Sequence, residues 1–245
     1  AGEQEFLMSV SHDLRTPLTA ISGYAEALTD GAVDDPSAAG AVIAGNAQRL
    51  SRLVGDLLDL ARLNARQFRL EPRLVNAADI ARNVVDDHLP RAQSYGVGLV
   101  ADGVDTAAVI ADPDRLAQVV GNLIDNALKF AASAVEVRVG VGAGSIGNAA
   151  GNAARNAVAE VTISVTDDGP GIPASDLPFV FERLYVTRLR PTRAENSSGL
   201  GLAIVRELVS AIGGRIEVRS QVGEASGTRM TVHLPGAQRP EPNQA

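Results

Sequence analysis

The segment NLIDNALKF, residues 122–130, is predicted to form a helix with one polar and one apolar side. At about 100° per residue, Asn126 lies near 40° and Lys129 near −20° from Asn122. The apolar residues, which lie opposite at about 100° to 240°, are Leu116, Val120, Leu123, Ile124, Ala127 and Leu128. Amide oxygens suit a hard cation such as Mg²⁺, and a lysine suits phosphate oxygens. A polar edge that only faces solvent explains the same pattern.

Around this helix, predicted strands and helices alternate from Phe68 onward. The strands are FRLEPRLV (68–75), VGLVAD (97–102), AAVIAD (107–112), VEVRVGV (135–141), VAEVTISVTD (158–167), GRIEVRS (214–220) and TRMTVHLP (228–235). Helices are expected from a cap at Asn76 to Ala92, from Asp112-Pro113 to Phe130, and from Leu200 to Ile212. The alternation predicts an α/β sandwich. Residues 142–157, rich in Gly, Ala and Asn, are expected to be a flexible hairpin insertion, and residues 237–245 a disordered tail.

In the first 64 residues the apolar residues recur at helical spacing, which predicts two helices. The first runs from about Glu3 to Asp30, and the second begins at Pro36, behind Asp34 or Asp35 as cap, and ends near Leu63. A lone helical hairpin cannot bury both of its apolar stripes, so pairing with a second copy into a four-helix bundle is the favoured arrangement. The alternative is that the stripes pack on the rest of the chain.

The first helix contains VSHDLRTPL, residues 10–18, with a histidine on its polar side. Thr16 and Thr19 lie within about 40° of His12. The apolar residues, between about 120° and 200°, are Phe6, Val10, Leu14, Pro17, Ile21, Tyr24 and Leu28. His12 is therefore predicted to face water, next to Asp13. A solvated polar helix face explains this stretch equally well.

One glycine-rich segment follows a predicted strand, and a second one precedes a predicted helix. In TDDGPGIP, residues 166–173, a carboxylate at the strand end can accept a hydrogen bond from an exocyclic amine such as that of adenine, although an ordinary Asp-Gly turn has the same sequence. In SSGLGLAIVREL, residues 197–208, the free amides of a helix start can bind an anion. The loop before it contains Arg183, Arg188, Arg190 and Arg193, which could clamp a polyphosphate or merely be solvated.

Composition excludes several classes of protein. The 245 residues carry a net charge of −7, which disfavours nucleic-acid binding. The absence of cysteine excludes disulfides, thiolate zinc sites and a cysteine nucleophile. No apolar run approaches the ~20 residues of a membrane span. The chain opens inside an apparent amphipathic helix, so an upstream part, including any membrane anchor, is expected to precede it.

The order and spacing of these segments resemble the transmitter region of sensor histidine kinases of two-component systems. FLMSVSHDLRTPL resembles the phosphoacceptor box, NLIDNALKF the asparagine box, DDGPGIP the first glycine box and FVFERLY the phenylalanine box. GLGLAIVREL resembles the second glycine box, and residues 213–235 the closing one. Ser197 and Leu184 depart from the usual glycine and aromatic residue of the second glycine box and the phenylalanine box.

The resemblance implies a role for each matching residue. His12 would be the phosphoacceptor, Asp13 an acid/base that raises its nucleophilicity, and Thr16 the residue that orients water for dephosphorylating the partner. Asn126 would hold Mg²⁺ with Asn122 nearby. The remaining nucleotide-binding residues would be Lys129, Phe130, Asp167, Gly169, Gly171, Arg183, Gly199, Leu200, Gly201, Leu202 and Thr228, with Asp167 at the adenine amino group.

The resemblance also implies domains and partners. Residues 1–66 would be a dimerisation and histidine phosphotransfer hairpin, and residues 67–236 an ATP-binding catalytic domain of the gyrase, MutL and histidine kinase type. The cofactors would be ATP and Mg²⁺, and the partners a second copy and the receiver domain of a response regulator. The full-length protein is expected at the cytoplasmic side of the membrane, attached only through an upstream segment.

Two other functions fit the same fold. ATP hydrolases of this type place a glutamate base four residues before the magnesium asparagine, and here that position is Asn122, which cannot deprotonate water. The third alternative is an inactive dimeric scaffold, which the intact histidine, asparagine and glycine boxes disfavour. Phosphotransfer to His12 is therefore the predicted reaction.

Overall fold

The computed structural model describes residues 2–64, 70–143, 159–182, 199–223 and 226–237. The chain divides into two compact units, residues 1–68 with 197–200 and residues 69–196 with 201–245. Most of the predicted insertion at 142–157 and of the tail at 237–245 lie outside the described residues, as do Arg183, Leu184 and Ser197.

The first unit contains the predicted helical hairpin. Helix α1 spans Gly2–Thr29 and helix α2 spans Pro36–Asn64. Asp35 caps α2, since its Oδ1 accepts hydrogen bonds from the amides of Ser37 at 2.9 Å and Ala38 at 3.1 Å. Of the two capping candidates, Asp35 is therefore the correct one, and Pro36 occupies the first helical position as predicted.

The two sides of α1 differ in burial as the sequence predicts. Val10 and Pro17 are buried, whereas Thr16 and Thr19 are exposed. The apolar surface is only partly covered within one chain. The large apolar side chains of the hairpin that stay exposed are Leu18, Tyr24, Val54 and Leu58.

The second unit is an α/β sandwich, which confirms the predicted fold class. Its strands are β1 (Arg73–Asn76), β2 (Gly98–Gly103), β3 (Ala108–Ala111), β4 (Ala134–Ala143), β5 (Ala159–Asp167), β6 (Arg215–Gln221) and β7 (Gly227–Pro235). Its helices are α3 (Ala77–Ser94), α4 (Pro113–Phe130) and α5 (Gly201–Ala211), with a short 3₁₀ helix at Leu177–Phe179. The main sheet has the order β2-β4-β5-β7-β6, and β1 and β3 form a separate antiparallel ribbon. Among the described strands of the main sheet, only β2 and β4 pair in parallel.

The first strand of this unit is shorter than predicted. The sequence places it at residues 68–75, but β1 begins at Arg73. Pro72 has no N–H to contribute to a strand ladder. The amide of Glu71 donates instead to the carboxylate of Asp112, at 3.0 Å. The strand is thereby limited to the residues that pair with β3.

The core lies between one face of the main sheet and helices α3, α4 and α5. Along β5 the residues alternate, so that Val161, Ile163 and Val165 are buried while their neighbours are only partly covered. The predicted apolar side of α4 is buried, at Leu116, Val120, Leu123, Ile124, Ala127 and Leu128, and Val119 beside it is buried as well. Burial of this side leaves the opposite edge of α4 at the rim of the core.

Side-chain caps set where two of these helices begin. The side chain of Asn76 accepts from the amide of Ala78 at 3.2 Å, which starts α3. The side chain of Asp112 accepts from the amides of Asp114 and Arg115 at 3.1 and 3.2 Å, which starts α4. Both caps are the residues that the sequence predicts. None of the helices in the described part of the chain is long and apolar enough to cross a membrane.

Candidate functional site

Several predicted site residues meet at one end of the main sheet. Strand β5 ends at Asp167, which pairs with Val135 at the start of β4 and with Thr228 at the start of β7. The carbonyl oxygen of Phe130, at the end of α4, faces Gly169 so closely that a Cβ there would lie 2.5 Å from it. Asp167 and Gly169 are therefore neighbours of Phe130 and Thr228, which are far from them in sequence.

Asp167 is a buried carboxylate. Its side chain accepts hydrogen bonds from the amides of Gly169, at 2.9 Å, and Thr228. Burial raises the pKa of Asp167 to about 6, and the neighbouring charge of Asp168 adds to the increase, against the two amide hydrogen bonds. At pH 7.5 the group is mostly ionised and can accept a hydrogen bond from an amine.

Gly171 is required by the sheet itself. Its φ is +77°, and a Cβ at this position would overlap the carbonyl oxygen of Gln221 at the end of β6. The hydroxyl of Ser220 accepts from the amide of Ile172 at 2.8 Å and donates to the carbonyl of Gly227 at 2.7 Å. The turn after β5 is thus bound to β6 and β7 by its own backbone, independently of any ligand.

Asp168 has a structural role that sequence reasoning did not predict. Its carboxylate accepts hydrogen bonds from the amides of Ala132, Ser133 and Ala134 and from the Ser133 hydroxyl, at 2.6 to 3.1 Å. Burial acts to raise the pKa of Asp168, but these donors outweigh it and lower the pKa to about 2. Asp168 therefore fastens the turn to the connection between α4 and β4. Its partners are backbone amides, which no sequence pattern identifies.

The polar edge of α4, which we name the asparagine edge, forms a second part of the site. Asn122, Asn126, Lys129 and Phe130 are all half-buried. The Nδ2 atom of Asn122 is buried without a hydrogen-bond partner among the described residues. A Cβ at Gly201, the first residue of α5, would lie 4.0 Å from the Asn122 side chain. The start of α5 therefore faces the asparagine edge, and the first backbone amides of a helix have no partner within the helix itself.

The donor set of this edge fits Mg²⁺ bound together with a nucleotide. Among the described residues, no group of three or more His, Cys, Asp or Glu side chains could hold a metal ion by itself. Mg²⁺ is usually held by few protein oxygens together with substrate phosphates and water. The amide oxygens of Asn122 and Asn126 are such ligands. The unpartnered atom of Asn122 is its Nδ2, a hydrogen-bond donor that suits a phosphate oxygen and not the cation.

The carboxylate within the asparagine box, Asp125, is engaged elsewhere. Its Oδ1 lies 2.5 Å from Nη1 of Arg91 and 3.5 Å from Nε2 of His88, both on α3. Burial acts to raise the pKa of Asp125, but the hydrogen bond from His88 and the charge of Arg91 lower it. The same hydrogen bond raises the pKa of His88 against the effect of burial. No local sequence pattern identifies this cluster, because its members lie on two different helices.

The other predicted site residues are placed as follows. His12 and Asp13 lie within α1, but their side chains lie outside the described part of the structure. Gly199 has a φ of +65°, Leu200 is buried and Leu202 is half-buried at the start of α5. Arg183 is not among the described residues.

Two family descriptions match the chain. Residues 111–238 match "Histidine kinase-, DNA gyrase B-, and HSP90-like ATPase", and residues 3–66 match "His Kinase A (phospho-acceptor) domain". The first match covers more than half of the chain and contains the Asp167 end of the sheet and the asparagine edge.

Sequence relatives and solved structures agree with these matches. Sensor protein SrrB of Staphylococcus aureus is 29% identical over 236 residues, which are 95% of this chain and 38% of SrrB. The chain thus spans about two fifths of the curated relatives it matches. A crystal structure of full-length ShkA in complex with AMPPNP superposes with a TM-score of 0.66 at 29% identity, over 98% of this chain and 48% of ShkA. Histidine kinase AdeS of Acinetobacter baumannii shares the fold, with a TM-score of 0.68 at 24% identity over 91% of this chain and 97% of AdeS.

Substitution of Gly171 should destabilise the protein before any ligand is considered. Gly213 has nearly the same φ, +76°, but a Cβ there would meet nothing within 4 Å. We expect Gly213→Ala to cost about 1 kcal/mol of unfolding free energy, as positive φ does in general, and Gly171→Ala to cost at least about 2 kcal/mol more. Urea unfolding measures both, and equal losses would contradict the close contact with Gln221.

Asp167→Asn should change how stability depends on pH. Because burial raises the pKa of Asp167 from 3.8 to about 6, its proton stabilises the wild-type fold fully below about pH 4, and this stability is lost as the pH rises through 6. An uncharged amide has no such loss, so the variant should match the wild type at pH 4 and exceed it by up to about 3 kcal/mol at pH 7. Urea unfolding from pH 4 to 7 tests this, with the exposed Asp86→Asn as control. Parallel pH curves for wild type and Asp167→Asn would contradict it.

Proposed function

The chain belongs to the histidine kinase-, DNA gyrase B- and HSP90-like ATPases and is the transmitter region of a sensor histidine kinase, and we propose that it uses ATP to phosphorylate its own His12. The observation that carries this proposal is the asparagine edge of α4. It offers amide oxygens, a lysine and an unpartnered buried amide to a ligand at the start of α5, with an asparagine at the position of the hydrolase base.

The nucleotide would lie along the end of the sheet that holds Asp167. In this proposal the Asp167 carboxylate accepts a hydrogen bond from the adenine amino group, with Gly169, Gly171, Thr228 and Phe130 around the base. Lys129 and the amides of residues 199–202 bind phosphate oxygens. Arg183 adds a further positive charge to the phosphates.

Mg²⁺ would be held by Asn126, with Asn122 beside it. When bound, the ion neutralises charge on the phosphate oxygens of ATP. Neither asparagine can remove a proton from water. The edge therefore favours transfer of the phosphoryl group to a protein nucleophile over hydrolysis.

His12 is the proposed nucleophile. A ring nitrogen of His12 attacks the γ-phosphorus of ATP, the bond from the γ-phosphorus to the bridging oxygen breaks, and ADP leaves. Asp13 accepts the N–H of the other ring nitrogen and raises the nucleophilicity of the ring. The phosphoryl group then passes to an aspartate in the receiver domain of a response regulator.

We further propose a homodimer through residues 1–66. Leu18, Tyr24, Val54 and Leu58 remain exposed in the single hairpin, and a second hairpin can cover them in a four-helix bundle. We also propose, from the resemblance to sensor histidine kinases, that the whole protein acts at the cytoplasmic side of the membrane.

Replacement of His12 tests the proposed reaction. His12→Gln should abolish acid-labile labelling of the protein by [γ-³²P]ATP and leave ATP affinity within a few-fold, because the two sites belong to different units. His233→Gln is the matched control, since His233 lies on β7, and it should keep its label.

Three results distinguish the competing functions. Label on the wild type that is lost only in His12→Gln supports the kinase. Release of free phosphate without labelled protein would instead identify an ATP hydrolase. If neither labelled protein nor free phosphate forms, the chain would be an inactive scaffold.

Thr16 is proposed to hold the water that dephosphorylates the response regulator. Thr16 is exposed one helical turn after His12, and a hydroxyl can orient water but is too weak a base to assist phosphorylation of histidine. Thr16→Ala should keep autophosphorylation near wild type and lose phosphatase activity, whereas Thr16→Ser should retain both. If Ser and Ala lose the activity equally, the role of Thr16 is in the helix shape ahead of Pro17.

A further inference from the structure

Helices α3 and α4 are joined by a polar cluster beside the asparagine edge. Arg91 Nη1 lies 2.5 Å and His88 Nε2 lies 3.5 Å from the same oxygen of Asp125. The side chains of Arg91, His88 and Asp125 are 25%, 22% and 28% exposed. An ion pair that is so covered is screened less by solvent than the pairs on the open surface.

Both partners of Asp125 are held in place by contacts with residues of α3 or of its C-terminal cap. His88 Nδ1 lies 2.7 Å from the carbonyl of Val84 and donates to it, so Nε2 is the atom directed at Asp125. Arg91 Nε donates to the Tyr95 hydroxyl at 3.2 Å, and the guanidinium lies 5.6 Å from the centre of the Tyr95 ring. Asp125 therefore meets groups that are already oriented along α3.

Helix α4 approaches the imidazole of His88 at Gly121. A Cβ at this position would lie 3.5 Å from Cε1 of His88, which is an ordinary van der Waals distance. The cluster therefore adjoins α4 at the residue before Asn122, at the start of the asparagine box.

Asp125 lies on the same helix as both asparagines and close to them around its axis. It stands about 60° around the helix from Asn122 and about 100° from Asn126. The Nδ2 atom of Asn122 has no hydrogen-bond partner among the described residues, so no hydrogen bond at this atom fixes its amide. Rotation of α4 about its own axis would move Asn122 and Asn126 together with Asp125.

We propose that Arg91 and His88, acting through Asp125, are positioning residues that hold α4 in the rotation at which Asn122 and Asn126 present their amide oxygens to Mg²⁺ and the nucleotide phosphates. This inference rests on the proposed function, because it takes the asparagine edge as the magnesium site. It assigns to Asp125 a positioning role and not a role as ligand, since its oxygen is already bound by α3.

The inference is tested by the gain in nucleotide affinity that Mg²⁺ provides. Calorimetry with a non-hydrolysable ATP analogue, in MgCl₂ and in EDTA, gives this gain for each variant. In Arg91→Met the gain should fall at least fivefold while the affinity in EDTA stays within twofold of wild type. Arg91→Lys, which keeps the charge, should restore at least half of the gain.

Arg82→Met is the matched control. Arg82 lies on α3 as well and pairs with Asp79 at 2.6 Å and Asp105 at 3.3 Å, neither of them on α4. It should keep both affinities. If Arg91→Met fails to fold, Asp125→Asn, which keeps the shape of the side chain, should show the same selective loss.

The results separate this inference from the proposed function. Equal gains in wild type, Arg91→Met and Asp125→Asn would overturn the inference, as would a parallel loss of affinity in EDTA or a wild type without any gain from Mg²⁺. Absence of acid-labile phosphate on the wild type would overturn the kinase proposal alone, because the binding experiment requires no phosphotransfer.

Discussion

The apolar side of α4 can be buried in only one orientation, and the ATP-binding unit is arranged around that constraint. Leu116, Leu123, Ile124 and Leu128 are completely buried between the sheet and the neighbouring helices. Rotating them outward would expose their side chains to water, at a cost of about 1.5–3 kcal/mol each. The polar residues of the asparagine box therefore stay at the rim, with Asn122 toward the start of α5 and Asp125 toward α3. Hydrophobic burial decides which edge of α4 stays at the rim. In our proposal, the ion pairs of Asp125 with α3 then adjust the rotation of α4 about its own axis.

Two adjacent aspartates show how strongly position decides chemistry. Asp167 lies at the buried end of β5, and burial raises its pKa to about 6. Asp168 lies one residue further on, where backbone amides and a hydroxyl lower its pKa to about 2. The first lies at the proposed adenine site, where its ionised form costs stability, whereas the second holds the turn through four donors. The candidate binding function and the folding function of this loop are thus divided between neighbouring side chains.

The glycines of the same loop belong to the sheet as much as to the site. Gly171 lies against the backbone at the end of β6, and Gly169 against the backbone at the end of α4. A substitution there disturbs strand packing whether or not nucleotide is bound. Loss of binding in such variants therefore needs a stability measurement beside it before it is assigned to the ligand.

The order of the helices and strands, the α/β fold, the caps at Asn76 and Asp112 and the buried side of α4 can be predicted from the sequence, whereas the choice of Asp35 over Asp34 as cap of α2 required the structure. The predicted features follow from local periodicity and from short-range hydrogen bonds, which a single segment contains. Of the candidate site, the sequence identified Asn122, Asn126, Asp167 and the glycines by motif and spacing. Only the tertiary structure decided that Asp168 fastens a turn, that Gly171 meets Gln221, and that Asp125 pairs with Arg91 and His88. Each of these contacts joins residues that are distant in the chain, and such pairs exist only after the sheet and the helices have packed together.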